Sequence, residues 1–477
     1  MTRLRLLAAA VACITLGSAT AQTSTDKQHK CNHQPGSQCQ AERPDYIFYF
    51  IGDGMGMGPV MAAQTYNRMV LGSEQPLTMM QFPVVGWSQT WSASSPVTDS
   101  AAAGTALSTG HKTKNGMLGM GPDTVPVYSV AADLQKAGYG IGIVTTVSAD
   151  DATPGAFYAH VANRKMKKEI DLYGAESGYE YIAGASYDQL REHFDQDFAD
   201  LLTANNIEVK YGVSGLGDHS SRRVMVFGDS TSSPWNVGYT IDSIAGALTL
   251  PALTADCLNH LQRYSPERFF MMVEGGNIDH ALHGNDGGAA IKEILNFDQA
   301  LALAFDFYKA HPDRTLIVVT ADHDTGGMAL GNPHVKYYAN LGLFDYQRVS
   351  KEAFSDYCKA ILNSRRIYTW DDMKEYLADK LGLFGAIPVP AERETKLHDM
   401  FDRTFELRNT DDQKTLYANF NAFAVEVFTL LNDLAGVGFT TTSHSGNPVP
   451  VFAVGVGADR FKGFNNNTDL LGSPALR

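Results

Sequence analysis

The chain has 477 residues, of which 44% are hydrophobic and 19% are charged, a composition typical of a globular protein with a large core. The formal net charge of −14 argues against a protein that binds nucleic acid. It leaves an anionic substrate open, because bound metal cations can reverse the sign of the charge locally. The length predicts two or more domains, or one large domain with insertions.

The N-terminus has the pattern of a secretory signal. A basic segment, an apolar run over 6–16 and the small residues of Ala19-Thr20-Ala21 follow one another, which predicts a signal peptide over 1–21 that is cleaved after Ala21. We therefore expect an exported protein, either periplasmic or secreted. Residues 22–43 are polar and are predicted to form a tail. No later run is long and apolar enough to predict a transmembrane segment.

Four cysteines remain after this cleavage. An even number in an exported chain favours disulfides, and Cys31 and Cys39, which bracket a polar loop, are the expected pair. The alternative is a disordered leader with two free thiols. Cys257 lies in an apolar helical pattern, which predicts a buried core thiol.

Strand and helix patterns alternate along the rest of the chain. Continuous apolar runs predict buried strands over 46–51, 141–147, 269–273, 315–320 and 449–456,. Helical patterns cover 128–136, 251–264 and 288–310. This alternation predicts an α/β fold, a three-layer sandwich with a large, mostly parallel central sheet flanked by helices.

A helical insertion interrupts this alternation. We predict it over about 332–438, within a catalytic domain that spans 44–477. Thr369 is followed by an acid at the third helical position, which predicts a helix start, and further helical patterns cover 390–407 and 411–434. The alternative is that these helices simply pack on the main sheet.

Four of the predicted strands end in acidic residues, two of them with a second polar side chain. These residues are Asp53, Asp151 with Thr153, Glu274, and Asp322 with His323. Ligands of open α/β sheets bind outside the carboxyl ends of the strands. One such carboxylate is an ordinary turn residue, but four at one edge need cations to offset their repulsion. The pattern therefore predicts a metal site.

Histidines extend this predicted metal site. Asp279 and His283 are four residues apart, so that a helix would place both on one face, where they could hold one cation. His444 lies in a loop of small residues. Imidazole with carboxylate suits zinc, whereas the oxygens of Asp, Glu and Thr suit magnesium. By contrast, His160, His260 and His334 are expected to be structural.

Ser100 lies in a run of small residues over 98–106 and directly follows Asp99. Alone, this run predicts a helix of Ala and Gly with Ser100 as its N-cap. The start of such a helix also offers N–H groups to an anion. Arg164 is either a surface charge or a guanidinium that clamps two oxygens of a phosphoryl group, and Asp99 could hold that guanidinium in place.

Six short motifs together resemble those of the alkaline phosphatase family, in the same order and over about 46–463. They are 52–56, 98–102, 151–164, 274–283, 320–323 and the loop around His444. Each motif alone is weakly specific, but six in order are highly specific. The resemblance implies hydrolysis of small-molecule phosphate monoesters by two zinc ions and one magnesium ion, and it also implies a homodimer.

The same resemblance implies a role for each candidate residue. Ser100 matches the catalytic nucleophile that becomes a phosphoserine, and Arg164 matches the phosphate clamp, with Asp99 beside it in substrate binding. The zinc ligands implied are Asp279, His283 and His444 for the first ion and Asp53, Asp322 and His323 for the second. The magnesium ligands implied are Asp53, Thr153 and Glu274. Asp151 is predicted to be a metal-site residue from its place after a strand, although family members differ at this position.

Two other functions stay open from the sequence. One is a phosphodiesterase or sulfatase of the same superfamily, although Arg164 favours a monoester because a diester has one fewer free oxygen to clamp. The other is a non-catalytic exported protein that binds phosphate or metal, for which Ser100 would be dispensable.

Overall fold

A computed structural model describes residues 43–470 except 218, 365–366 and 409–410. The predicted signal peptide over 1–21, nearly all of the tail over 22–43 and the expected pair of Cys31 with Cys39 lie outside the described residues. Within the described part, no helix has the length and apolar character needed to cross a membrane. Cys257 and Cys358 are free, buried thiols, which confirms the prediction for Cys257.

The strands of the described residues are short to medium in length. They are β1 (Tyr46–Gly52), β2 (Val84–Gln89), β3 (Gly140–Thr145), β4 (Tyr181–Ala183), β5 (Ile207–Tyr211), β6 (Arg223–Phe227), β7 (Phe269–Gly275), β8 (Thr315–Thr320), β9 (Asp324–Thr325), β10 (Ala329–Leu330), β11 (Asp412–Lys414), β12 (Asn419–Asn421), β13 (Val437–Gly438), β14 (His444–Ser445), β15 (Val449–Gly455) and β16 (Gly463–Asn466).

The α-helices lie mainly between these strands. They are α1 (Met57–Met69), α2 (Ser100–Thr109), α3 (Val130–Lys136), α4 (Ala152–Gly155), α5 (Lys167–Glu176), α6 (Gln196–Ala204), α7 (Leu250–Tyr264), α8 (Asn277–His283), α9 (Gly287–Ala310), α10 (Lys351–Asn363), α11 (Trp370–Leu381), α12 (Ala391–Phe401) and α13 (Ala422–Ala435).

Ten strands form one large sheet in the order β16-β2-β15-β8-β1-β7-β3-β4-β6-β5. All neighbours pair in parallel except β15, which is antiparallel to β8 and to β2. The prediction of a large, mostly parallel sheet flanked by helices is confirmed. Strands β8, β1, β7 and β3 are adjacent and parallel, so their carboxyl ends meet at one edge of the sheet.

Each face of the sheet is covered by its own hydrophobic core. Every residue of β1 is buried, because alternate side chains point into opposite layers. Phe50 packs edge-on against Phe297 of α9, with ring centroids 5.6 Å apart. Tyr49 points to the other face, where its ring centroid lies 6.3 Å from that of Phe157. These two cores hold the central strands rigidly beneath the polar residues at their carboxyl ends.

The predicted helix over 411–434 is only half right. Residues 412–421 instead form an antiparallel hairpin of β11 and β12, and α13 begins at Ala422. The side chain of Asn421 explains the boundary, because it caps α13 by accepting a hydrogen bond from the backbone N–H of Phe423 at 2.9 Å,. The predicted helix start at Thr369 is confirmed as a capping box with Asp372.

Residues 332–438 contribute their apolar side chains to the same core as α9. Phe354 of α10 and Phe423 of α13 are fully buried in it together with Phe297. Helices therefore fill this part of the chain largely as expected, and they pack on one face of the sheet layer. That they form a distinct insertion stays a prediction.

Candidate active site

The carboxyl ends of the central strands bring four predicted site residues together. Asp53 directly follows β1, Glu274 lies near the end of β7, and Asp322 and His323 follow β8. The register pairs Ile51 of β1 with Glu274, so that the residues after them are neighbours. All four side chains are buried.

A second group is built on α8 and on the loop before β15. Asp279 and His283 share one face of α8, with Asp279 Oδ2 3.3 Å from His283 Nε2. His444 pairs with Thr325 through β14 and β9, which carries its imidazole to the same place. The Nε2 atoms of His283 and His444 are 3.1 Å apart.

Backbone carbonyls fix the orientation of these two imidazoles. His283 Nδ1 donates to the carbonyl of Thr442 at 2.6 Å, and His444 Nδ1 donates to the carbonyl of Thr98 at 2.8 Å. Because a carbonyl only accepts hydrogen bonds, each Nδ1 carries the hydrogen and each neutral ring turns its Nε2 lone pair inward. Two lone pairs that face each other beside a carboxylate fit a shared cation.

His323 is oriented in the same way by a threonine. The hydroxyl of Thr325 donates to Asp279 Oδ1 and lies 3.1 Å from His323 Nδ1, so it accepts the hydrogen of that nitrogen. His323 Nε2 then faces Asp322 Oδ2 at 3.1 Å and Asp53 Oδ1 at 3.4 Å. All three candidate histidine ligands therefore present Nε2 to the same region.

Two overlapping groups have ligand atoms within 4.8 Å of one another. They are Asp53 with Asp322 and His323, and Asp279 with His323 and His444. The group of Asp53, Asp322 and His323 is the set that the resemblance implies for one zinc ion. The other group contains Asp279 and His444, two of the three ligands implied for the other zinc ion. The remaining implied ligand, His283, lies next to His444.

Several oxygens at this edge are buried and have no hydrogen-bond partner in the described part of the chain. They are Asp53 Oδ1, Thr153 Oγ1, Glu274 Oε1, Asp279 Oδ2 and Asp322 Oδ2. A buried polar atom without a partner is costly. Carboxylate and hydroxyl oxygens together with imidazole nitrogens are the ligands that divalent cations take in proteins. The residues present therefore fit bound metal ions.

The pKa shifts reflect the crowding of buried charged groups at this edge of the sheet. Burial, together with the neighbouring carboxylates, raises the pKa of Asp53 and raises that of Glu274 to about 8. Burial also raises the pKa of Asp279, but His283 and His444 outweigh it and hold that pKa well below its usual range. Burial and the nearby imidazoles lower the pKa of His444 to about 4. Such shifts are typical of functional sites.

Ser100 is the first residue of α2, and its N-cap is Asp99, so the prediction of Ser100 as the cap is wrong. Asp99 Oδ1 accepts from the N–H of Ala102 at 2.9 Å, which leaves the hydroxyl of Ser100 free for another partner. Ser100 is 1% exposed, and its hydroxyl forms a hydrogen bond with His323 Nε2 at 3.0 Å. The serine thus lies against one of the candidate metal ligands.

Arg164 lies between two acidic side chains, one of which, Asp99, directly precedes Ser100. Its Nη2 donates to Asp151 Oδ1 at 2.6 Å, and its Nη1 is 3.9 Å from Asp99 Oδ2. Burial favours the neutral form of Asp151, but Arg164 outweighs it and lowers the pKa of that carboxyl. Asp151 therefore contacts the arginine in this structure, and its assignment to a metal site stays a prediction.

Three residues at the site were not predicted from the sequence. Thr325 orients His323, and Thr145 donates to Glu274 Oε2 at 2.5 Å. Tyr417, from the turn between β11 and β12, accepts a hydrogen bond from Arg164 Nη2 at 3.4 Å. No motif marked them, since a threonine at a strand end is ordinary and the Tyr417 segment was predicted to be helical.

The histidines expected to be structural have partners of their own. His160 Nδ1 lies 2.7 Å from the carbonyl of Gly119, and His260 Nε2 lies 2.9 Å from the carbonyl of Arg222. His334 Nε2 lies 3.5 Å from Asp433 Oδ2.

Comparison with known proteins finds similarity to alkaline phosphatases. The sequence profile of the family described as alkaline phosphatase matches residues 46–193 and 235–473. The chain is 26% identical over 458 residues to an alkaline phosphatase of Schizosaccharomyces pombe, which covers 90% of this chain and 80% of the relative. It is 27% identical over 446 residues to alkaline phosphatase 4 of Bacillus subtilis, with coverage of 89% and 86%. The crystal structure of a cold-active alkaline phosphatase from a psychrophilic Shewanella species superposes with a TM-score of 0.75 at 26% identity, covering 89% of this chain and 97% of that one.

Proposed function

The chain belongs to the alkaline phosphatase family, and we propose that it hydrolyses phosphate monoesters. The reaction would proceed through a phosphoserine on Ser100, with two zinc ions and one magnesium ion. The observation that supports this most is the position of the Ser100 hydroxyl, 3.0 Å from His323 Nε2. His323 belongs to both candidate metal groups, and Asp99, which precedes Ser100, faces the guanidinium of Arg164 at 3.9 Å. A nucleophile, an anion clamp and a cation site then meet at one point.

The residues that would hold the cofactors are those with inward lone pairs or unpartnered oxygens. Asp279, His283 and His444 would hold one zinc ion, Asp53, Asp322 and His323 the other, and Asp53, Thr153 and Glu274 the magnesium ion. Bound cations lower the pKa of a hydroxyl and stabilise the oxygens of a phosphoryl group in transfer.

The chain's own residues would carry out two displacements. In the first, the Ser100 oxygen attacks phosphorus, the bond between phosphorus and the alcohol oxygen breaks, and the alcohol leaves. In the second, water attacks the phosphoserine and releases inorganic phosphate, which restores the Ser100 hydroxyl. Arg164 would bind two non-bridging oxygens bidentately, and the N–H groups at the start of α2 would face the same anion.

A kinetic comparison with a matched serine variant tests this proposal. We expect Ser100→Ala to lower kcat/KM for p-nitrophenyl phosphate by more than about 1,000-fold, and to abolish acid-stable phosphoserine in mass spectra of quenched enzyme. Ser233→Ala, which changes an exposed serine, should leave both unchanged. We also expect the monoester to be preferred over bis-p-nitrophenyl phosphate and p-nitrophenyl sulfate. Retained turnover in Ser100→Ala, or preference for either analogue, would contradict the proposal.

Export and assembly belong to the same proposal. The N-terminal pattern supports a secreted or periplasmic protein that begins after Ala21, and the family resemblance supports a homodimer. The intact mass of the purified native protein tests the first point, and light scattering after size-exclusion chromatography tests the second.

A further inference from the structure

We propose that Tyr417 is a further substrate-binding residue, whose hydroxyl donates a hydrogen bond to an oxygen of the phosphoryl group held by Arg164. This inference rests on the proposed function, and it adds a ligand contact from residues 332–438. It places the turn between β11 and β12 at the phosphate pocket.

The Tyr417 hydroxyl accepts a hydrogen bond but donates none within the described part of the chain. Its oxygen accepts from Arg164 Nη2 at 3.4 Å. A phenol also carries one hydrogen to donate, and among the described residues none accepts it within hydrogen-bond distance. An oxygen of a phosphoryl group bound to this guanidinium would lie beside the phenol and would supply the acceptor.

Aromatic contacts hold the Tyr417 ring in place. Its centroid lies 4.0 Å from that of His280, with an interplanar angle of 35°, and 5.3 Å from that of His283 in an edge-on arrangement. The ring is thus packed against two residues of α8, and the side chain is partly buried. A donor fixed in this way needs little ordering when the ligand binds.

The hairpin fixes the backbone of Tyr417 as well. Asp412–Lys414 and Asn419–Asn421 pair antiparallel. The turn is closed by the N–H of Thr415, which donates to the carbonyl of Ala418 at 2.9 Å. Lys359 of α10 donates to the carbonyl of Asn419 at 2.6 Å. The position of the phenol is therefore set by the backbone around it.

Tyr417→Phe removes only the hydroxyl and keeps the ring. We expect the inhibition constant for inorganic phosphate to rise about 10- to 150-fold, as for the loss of one hydrogen bond to a charged group. Because the contact is to the phosphoryl group, kcat/KM should fall by one common factor for p-nitrophenyl phosphate and for glycerol phosphate. The zinc and magnesium content should equal that of the wild type. Tyr337→Phe, a change at a residue that is 98% exposed, serves as the matched control and should alter none of these values.

Three outcomes would overturn the inference. One is an unchanged affinity for phosphate in Tyr417→Phe. A second is a loss of affinity that appears only together with a loss of bound metal, which would assign Tyr417 a structural role beside His283. A third is an effect on one ester only, which would place the hydroxyl at the leaving group.

If the wild type hydrolyses no monoester, the proposed function fails. Calorimetric titration of wild type and Tyr417→Phe with inorganic phosphate still decides the role of Tyr417.

Discussion

The two carboxylate oxygens of Asp99 contact backbone N–H groups, and one of them also faces the guanidinium of Arg164. Oδ1 caps α2 through Ala102, whereas Oδ2 accepts from the N–H of Gly116 at 2.8 Å and faces Arg164 at 3.9 Å. The residue that caps the helix of the proposed nucleophile therefore also contacts the proposed phosphate clamp. Asparagine can keep the cap but not the charge, so the two roles can be separated.

Substitution of Asp99 should separate stability from phosphate binding. We expect Asp99→Ala to lower the free energy of unfolding by about 1 kcal/mol, as for loss of an N-cap, and Asp99→Asn to lower it by less. Both variants should raise the inhibition constant for phosphate about 2- to 5-fold, in keeping with a partly exposed ion pair. Denaturant unfolding and phosphate inhibition measure the two effects.

Thr249→Ala is the control for the cap, because Thr249 caps α7 through Ala252. It should lower stability by a similar amount and leave phosphate inhibition unchanged. Unaltered phosphate inhibition in Asp99→Asn would contradict the assigned contact with Arg164.

Most of the candidate ligands could be predicted from the sequence because of where parallel strands end. Asp53, Glu274 and Asp322 each follow or close an apolar run, and the ends of such strands meet at one edge. Tyr417 could not be found in this way, since it reaches the site through a hairpin whose residues read as part of a helix. The cap at Asp99 was also missed, because serine and aspartate are equally good N-caps.

At the scale of elements, the loop from β1 to α1 links both candidate zinc groups. Gly54 has φ +68°, and a Cβ there would lie 2.7 Å from Asp279 Oδ1. A Cβ on Gly56 would lie 1.8 Å from Asp324 Oδ1. Asp324 accepts from the hydroxyl of Ser445 at 2.5 Å, next to His444. The small residues of this loop therefore allow the strand pair that places His444.

Gly56→Ala should disturb the metal centre through that strand pair. The new methyl group has to displace the Asp324 carboxylate and with it Ser445, so that His444 shifts. We expect kcat/KM to fall by about 100-fold, the scale of a displacement near 1 Å, and zinc content to fall in metal analysis. Gly385→Ala is the control, since a Cβ there meets Ala378 at an ordinary 3.4 Å. Full zinc content and activity in Gly56→Ala would refute this linkage.

Strand prediction succeeded for the longer strands that are almost completely buried, and it failed for strands that are short or partly exposed. All residues of β1, β3, β7 and β8 are buried, so each appears in the sequence as a continuous apolar run. β2 alternates buried and exposed residues and contains Gly86, and β5 carries Glu208 and Lys210. Such strands are defined by their neighbours in the sheet, which the local sequence does not specify.

At the scale of the whole molecule, the fold concentrates acidic groups at the edge of the sheet where the central strands are buried on both faces. The chain is already negative, with a net charge of −14, and the edge above the central strands adds buried carboxylates that have few cationic partners within the described residues. Two packed cores prevent these side chains from moving apart. Cations are then the groups that relieve the repulsion, so that metal binding and folding stability are coupled.

The metal-free protein should therefore lose stability as the pH rises from about 6.5 to 8. Glu274 has a folded pKa of about 8 against an ordinary 4.5, and the pKa of His283 is also raised in the fold, since Asp279 outweighs the effect of burial. Over this range these two groups bind more protons in the folded chain than in the unfolded chain, so their contribution to the free energy of unfolding falls as the pH increases. We expect the Tm of chelator-treated protein to fall over this range, and zinc with magnesium to restore it.

A variant of Glu274 tests the source of this fall. In the chelated state the Tm of Glu274→Gln should fall less steeply with pH, because its amide does not titrate. Glu375→Gln, which alters an exposed side chain, is the control and should match the wild type. Identical slopes for chelated wild type and Glu274→Gln would show that Glu274 does not carry the buried charge that the cations offset.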